Sequence, residues 1–76
     1  MQREDVKARH AEGVVFDTHV IANPMNTREW IVFFKKGAGR SFFLVGDSEE
    51  VETFTHLDDL IDELKALGIK GAEIHF

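Results

Sequence analysis

Apolar and polar residues alternate from Val14 onward: Val14, Phe16, Val20 and Ala22 fall on one side of an extended segment, and Val15, Asp17, His19 and Ile21 on the other. This period of two predicts a half-buried strand. Asn23-Pro24-Met25-Asn26 breaks it, because proline lacks a backbone donor and restricts the residue before it. Residues 28–36 form a second strand, rich in the aromatic and branched side chains that suit a pleated surface. Gly37-Ala38-Gly39 supplies the positive φ of a tight hairpin loop, and residues 41–45 return as a third strand. With Lys36 paired to Arg40, Phe34 faces Phe42, Phe33 faces Phe43, Val32 faces Leu44 and Ile31 faces Val45. A turn at 46–49 leads to a shorter fourth strand at 51–54, so the predicted meander is antiparallel.

The period then becomes helical. Leu57, Leu60, Ile61, Leu64 and Leu67 form a one-sided apolar stripe. Thr55 is the expected N-cap, with Asp58 and Asp59 in the first turn, where the helix dipole favours negative charge. Gly68 is the expected left-handed residue after the last turn, with Ile69 placed for the usual hydrophobic contact. Ala72, Ile74 and Phe76 alternate with Glu73 and His75 as a final strand, expected near the fourth through a parallel, right-handed connection. The first twelve residues, MQREDVKARHAE, mix charges around Val6, Ala8 and Ala11 and read as a flexible or partly helical arm. The predicted fold class is therefore α+β. An antiparallel β-meander of about four strands carries one amphipathic helix on one face and a C-terminal strand, in the order β-β-β-β-α-β, with an arm at 1–12 and a single domain at 13–76.

One helix covers one face of a sheet, yet the hairpin is apolar on both. Trp30, Val32, Phe34, Phe42 and Leu44 share one side; Ile31, Phe33, Phe43 and Val45 share the other. A contiguous exposed patch of that kind is uncommon on soluble monomers. Three occupants suggest themselves: the arm, a second copy of the chain, or a ligand. The arm has too few apolar residues for the task, and closed twofold dimers are the commonest oligomers. The expectation is a homodimer with Trp30, Ile31, Phe33, Phe43 and Val45 at the interface or ligand face.

Composition narrows the classes. At 76 residues, 43% of them hydrophobic and 30% charged, the chain reads as one small soluble domain. It has no cysteine, which removes disulfides, thiolate nucleophiles and Cys-based zinc sites, and a reducing cytoplasmic setting fits. The opening residues have neither the apolar core of a secretion signal nor that of an anchor, and the apolar run at 30–34 is too short to span a bilayer. Membrane partners are not expected. The net charge is −5, unevenly spread. Residues 28–40 carry Arg28, Lys35, Lys36 and Arg40 against Glu29, whereas residues 46–63 carry Asp47, Glu49, Glu50, Glu52, Asp58, Asp59, Asp62 and Glu63 with no lysine or arginine. Such a dipole steers partners.

The candidate chemistry follows from these patterns. Aromatic residues interleaved with bases on a hairpin suit single-stranded nucleic acid, with rings stacking on bases and Arg28, Lys35, Lys36 and Arg40 as possible phosphate contacts. The hairpin-plus-helix layout is similar to that of single-strand-binding transcriptional coactivators, although those are basic at the binding face and end in a helix. Asp17 with His19, and Glu73 with His75, each place two potential metal ligands on one strand face, but no third ligand stands at a recognised spacing. The expectation is surface histidines, with no metal and no cofactor. Gly37-Ala38-Gly39-Arg40 lacks the helix that a phosphate-cradling loop requires, and neither Ser41 nor Ser48 has an informative histidine. The acidic segment alternatively mimics phosphates, making the chain an acidic adaptor for a basic protein. The expected function is a non-catalytic binding or adaptor protein acting through the aromatic sheet face, and not an enzyme. By its length, its WIVFF and FFLV strands and its LDDLIDELKALGI helix, the chain resembles short accessory proteins encoded on bacterial plasmids and integrative elements. That resemblance implies no particular functional residues.

Overall fold

The structure, a computed structural model, describes residues 1–37 and 39–76; Ala38 of the expected hairpin loop lies outside them. The elements in chain order are α1 (Arg3–Ala11), β1 (Asp17–Asn23), β2 (Asn26–Lys35), β3 (Ser41–Phe43), α2 (Leu57–Ala66) and β4 (Glu73–His75). The strands form one four-stranded sheet in the order β3-β2-β1-β4. β1 and β2 pair antiparallel, as do β2 and β3, whereas β4 runs parallel to β1. The fold is α+β with a mixed sheet and two helices.

Turn chemistry sets the hairpins. Asn23 and Asn26 pair across Pro24-Met25, and the Met25 N–H donates to the Asn23 side-chain oxygen at 3.1 Å, a local turn that asparagine favours. In the second hairpin Phe34 lies opposite Phe42 and Phe33 opposite Phe43, the register that the loop length and the alternation predict. The Leu44 N–H continues the ladder to the Val32 carbonyl at 3.0 Å.

The purely antiparallel meander needs correcting at two places. Residues 51–54 are not a fourth strand: Val51 and Phe54 make isolated bridges, to Val45 and Trp30 respectively. This segment folds back at the turn beginning with Gly46 and takes up the β2 edge beyond the end of β3. The final strand is not next to it. The β3 edge also receives Met1, whose amino group donates to the Phe43 carbonyl at 2.7 Å and whose carbonyl accepts from the Val45 N–H at 2.9 Å. β4 pairs instead on the far edge, along β1.

The first twelve residues hold the nine-residue α1, whose Val6 is fully buried against Leu60, Leu64 and Leu67 of the second helical region. The expectation of a single helix on the sheet is thereby corrected to two. The Gln2 N–H donates to the Asp5 carboxylate at 3.1 Å and ties down the start of α1. Arg3 joins α1 to the rest through Glu63 of α2 and through Glu52, the latter at 2.8 Å. The N-cap of α2 is His56, not Thr55, and makes no side-chain cap bond; Asp58 and Asp59 still complement the dipole there.

Both helices end in the same motif. Gly13 (φ 84°) donates to the His10 carbonyl and Val14 to Arg9; Gly68 (φ 88°) donates to Lys65 and Ile69 to Leu64. This is the paired 5→2 and 6→1 hydrogen bonding of a Schellman cap. The two ends also touch, because a Cβ on Gly68 would stand 2.9 Å from His10 Cδ2, whereas one on Gly13 would meet nothing within 4 Å.

Two predictions follow from this packing. Gly13→Ala is expected to cost about 1–2 kcal/mol, the penalty of the left-handed conformation. Gly68→Ala should cost roughly 0.5–1.5 kcal/mol more, because the His10 ring must leave its rotamer. Urea unfolding of both variants checks this, and adding His10→Ala to Gly68→Ala should recover the excess; equal losses would contradict the contact. Thr18 is 4% exposed and opposite Phe34, and its hydroxyl has no hydrogen-bond partner among the described residues. Thr18→Val should therefore stabilise the protein by about 1 kcal/mol, read as a melting temperature higher by about 4–8 °C. A lower melting temperature would mean that the hydroxyl is satisfied.

Candidate functional site

Strand alternation divides the sheet residues between two faces. Thr18, Val20, Ala22, Trp30, Val32, Phe34, Phe42, Leu44 and Ile74 point one way. Val20, Val32, Phe34 and Leu44 form a single core cluster with Val6, Leu60, Leu64 and Leu67. Both helical regions therefore cover this face. The opposite face carries Asp17, His19, Ile21, Ile31, Phe33, Lys35, Ser41, Phe43, Glu73 and His75, with no covering element among the described residues. Of the residues expected at the interface, Ile31, Phe33, Phe43 and Val45 belong to this open face by alternation. Trp30 does not: it packs half-buried against the core, and this corrects its place among the contact residues.

A row of rings crosses the open face, one from each strand. His75 of β4 meets His19 of β1 (centroids 5.3 Å apart), His19 stacks on Phe33 of β2 (5.0 Å, interplanar angle 18°), and Phe33 meets Phe43 of β3 edge-on at 5.7 Å. The register produces this row, since His19, Phe33 and Phe43 are directly paired and cross-strand neighbours on one face interact. Ile31 is 5% exposed although it is on the open face, while Phe43 at the sheet edge is 39% exposed. The apolar patch is thus smaller than the sequence suggests and concentrates at the β2–β3 end.

The β1–β4 end is polar. β4 presents Glu73 and His75 two residues apart on one face, and the parallel register puts Glu73 directly beside His19. His19 Nδ1 lies 3.1 Å from His75 Nε2 and 3.4 Å from Glu73 Oε2, and His75 Nε2 lies 3.5 Å from that same oxygen. The planes of the His19 and His75 rings are 27° apart, and their Nδ1 and Nε2 atoms stand at hydrogen-bonding distance. Side-chain exposure rises from 19% for His19 to 51% for His75 and 72% for Glu73, so the cluster has a fixed inner member and an open rim. The two ligand pairs of the sequence are brought together only in part: His19, Glu73 and His75 converge, and Asp17 is not in the cluster. The third ligand missing from the sequence pattern comes from strand pairing between residues 56 positions apart. No local spacing encodes that.

The basic residues do not form one strip. Arg28 and Lys35 stand near opposite ends of β2, about 23 Å apart at 3.3 Å per residue. Lys35, Lys36 and Arg40 gather at the hairpin end instead. Of the acidic residues, Glu52 and Glu63 are engaged by Arg3. These hydrogen bonds, to Glu52 first and then to Glu63, raise the guanidinium pKa further above its ordinary value. Asp58, Asp59 and Asp62 remain exposed on α2. No helix among the described residues is long and apolar enough to cross a membrane. No protein-family model, curated protein or solved structure matches the chain.

Proposed function

We propose that the chain works by binding and not by catalysis, with the open sheet face as its contact surface and a second copy of itself as the occupant. The observation that carries this reading is the placement of both helices on one side of the sheet, which leaves the ring row of Phe43, Phe33, His19 and His75 uncovered. Aromatic residues at the centre and charged residues at the margin are the usual anatomy of a protein interface. Here Phe33, Phe43 and Ile21 are central, while Asp17 and Lys35, paired across β1 and β2, lie toward one margin. A twofold axis through the face would set like rings against like.

A nucleic-acid reading retains Lys35, Lys36 and Arg40 beside Phe33 and Phe43. It loses Arg28 to distance and Trp30 to the other face. With fewer phosphate contacts to supply salt-dependent affinity, it stands second.

Sedimentation velocity at tens to hundreds of micromolar chain should show a dimer. Phe43→Glu should convert it to a monomer with a melting curve little changed, since Phe43 is partly exposed on an edge strand. A wild-type monomer throughout this range would reject the proposal. Saturable binding of a labelled oligonucleotide at low salt by that monomer, weakened by Lys35→Ala and Lys36→Ala, would put the second reading in its place.

A further inference from the structure

We infer that His19, Glu73 and His75 form a binding site for a divalent transition-metal ion of zinc's class. The donor atoms are separated by 3.1, 3.4 and 3.5 Å. Four ligands held at about 2.0–2.1 Å around a tetrahedral zinc ion stand roughly 3.3–3.4 Å from one another. Octahedral coordination at the same bond length needs donors roughly 2.8–3.0 Å apart, which the two distances to Glu73 exceed. The three atoms therefore match one face of a tetrahedron and leave its fourth corner for another ligand.

Donor type agrees with this geometry. Two imidazole nitrogens and one carboxylate oxygen suit zinc and its neighbours, whereas calcium and magnesium prefer oxygen alone. The His19 Nδ1–His75 Nε2 pair also forms a hydrogen bond with a single shared proton, which leaves the exposed Glu73 carboxylate to solvent. A single cation satisfies all three atoms.

The cluster is also held in advance of any ligand. His19 and Glu73 are directly paired across the β1–β4 ladder, and His75 is paired with Ile21. The His19 ring lies nearly parallel to Phe33, so packing restricts it where many metal-binding histidines are oriented by a hydrogen bond. Phe33 is in this sense a positioning residue. The site would close the β1–β4 edge of the sheet with a metal link, and the fourth position would take water or a group from a partner.

Tag-free full-length protein titrated with zinc chloride in a calorimeter should bind one ion per chain. A hundredfold excess over the dissociation constant should raise the melting temperature by roughly 10 °C or more. Cobalt should give the intense visible bands of four-coordinate geometry and be displaced by zinc. His19→Ala, His75→Ala and Glu73→Gln should each weaken binding at least roughly tenfold, the lower range seen even for outer-shell partners. His10→Ala and His56→Ala should leave it unchanged. The exposure of Glu73 and His75 makes their variants foldable, and Trp30 fluorescence verifies it. An absence of both binding heat and thermal shift would overturn the site, as would equal losses in the control variants or unchanged affinity in the ligand variants. Sedimentation of the same samples separates this site from the proposed dimer: a monomer that binds one zinc upholds the site and rejects the dimer, and a dimer that takes up none does the reverse.

Discussion

The short parallel pairing of β4 on β1 is the contact on which the open face depends. It joins only His19, Val20 and Ile21 to Glu73, Ile74 and His75, yet it acts on both sides of the sheet. Ile74 packs against the core beneath the helices, while Glu73 and His75 are delivered to the opposite face. Because side chains alternate strictly, a shift of one residue in this register would expose Ile74 and turn both polar residues inward. Core burial therefore sets the position of the polar cluster.

The covered face explains how so small a chain holds together. A domain of this size buries only about 60% of its unfolded surface, so a second helix on the same core matters even when it contributes one large side chain. Val6 makes that contribution, and the N-terminal stretch is anchored by means other than burial. Met1 bonds to the β3 edge, Arg3 spans two carboxylates, and the far end of α1 is closed at Gly13 beside the closure of α2 at Gly68. Exposed ion pairs add little singly, but these contacts all constrain the same helix. With both helices on one side, nothing of this kind remains for the other among the described residues.

Much of the fold was legible in the residues. The β2–β3 register follows from loop length and alternation, and α2 with its Gly68 cap follows from spacing. α1 was harder because REDVKARHA offers one large apolar residue in nine. Its ending was nonetheless written plainly: Ala11-Glu12-Gly13-Val14 repeats the form of Ala66-Leu67-Gly68-Ile69, a glycine followed by a branched apolar residue. The edge chosen by β4 was not legible, since alternation defines a strand's faces and not its neighbour. That gap concealed the convergence of His19, Glu73 and His75. Trp30 is a different matter. Alternation already places it with Val32 and Phe34, and only its size and aromatic character suggest a contact residue.

Sheet edges carry charge for a plain reason, which bears on how the cluster is understood. A three-residue edge strand bearing Glu73 and His75 resists pairing with other chains, and that protection alone accounts for polar residues there. It does not account for His19, which belongs to an interior strand, is four-fifths buried, and is held against Phe33 with Nδ1 directed at both β4 side chains. A residue chosen only to pack against Phe33 would be better apolar, because a largely buried imidazole loses hydration that packing alone does not return. The interior histidine, more than the exposed pair, is the feature that edge protection leaves unexplained and that coordination of a shared cation explains.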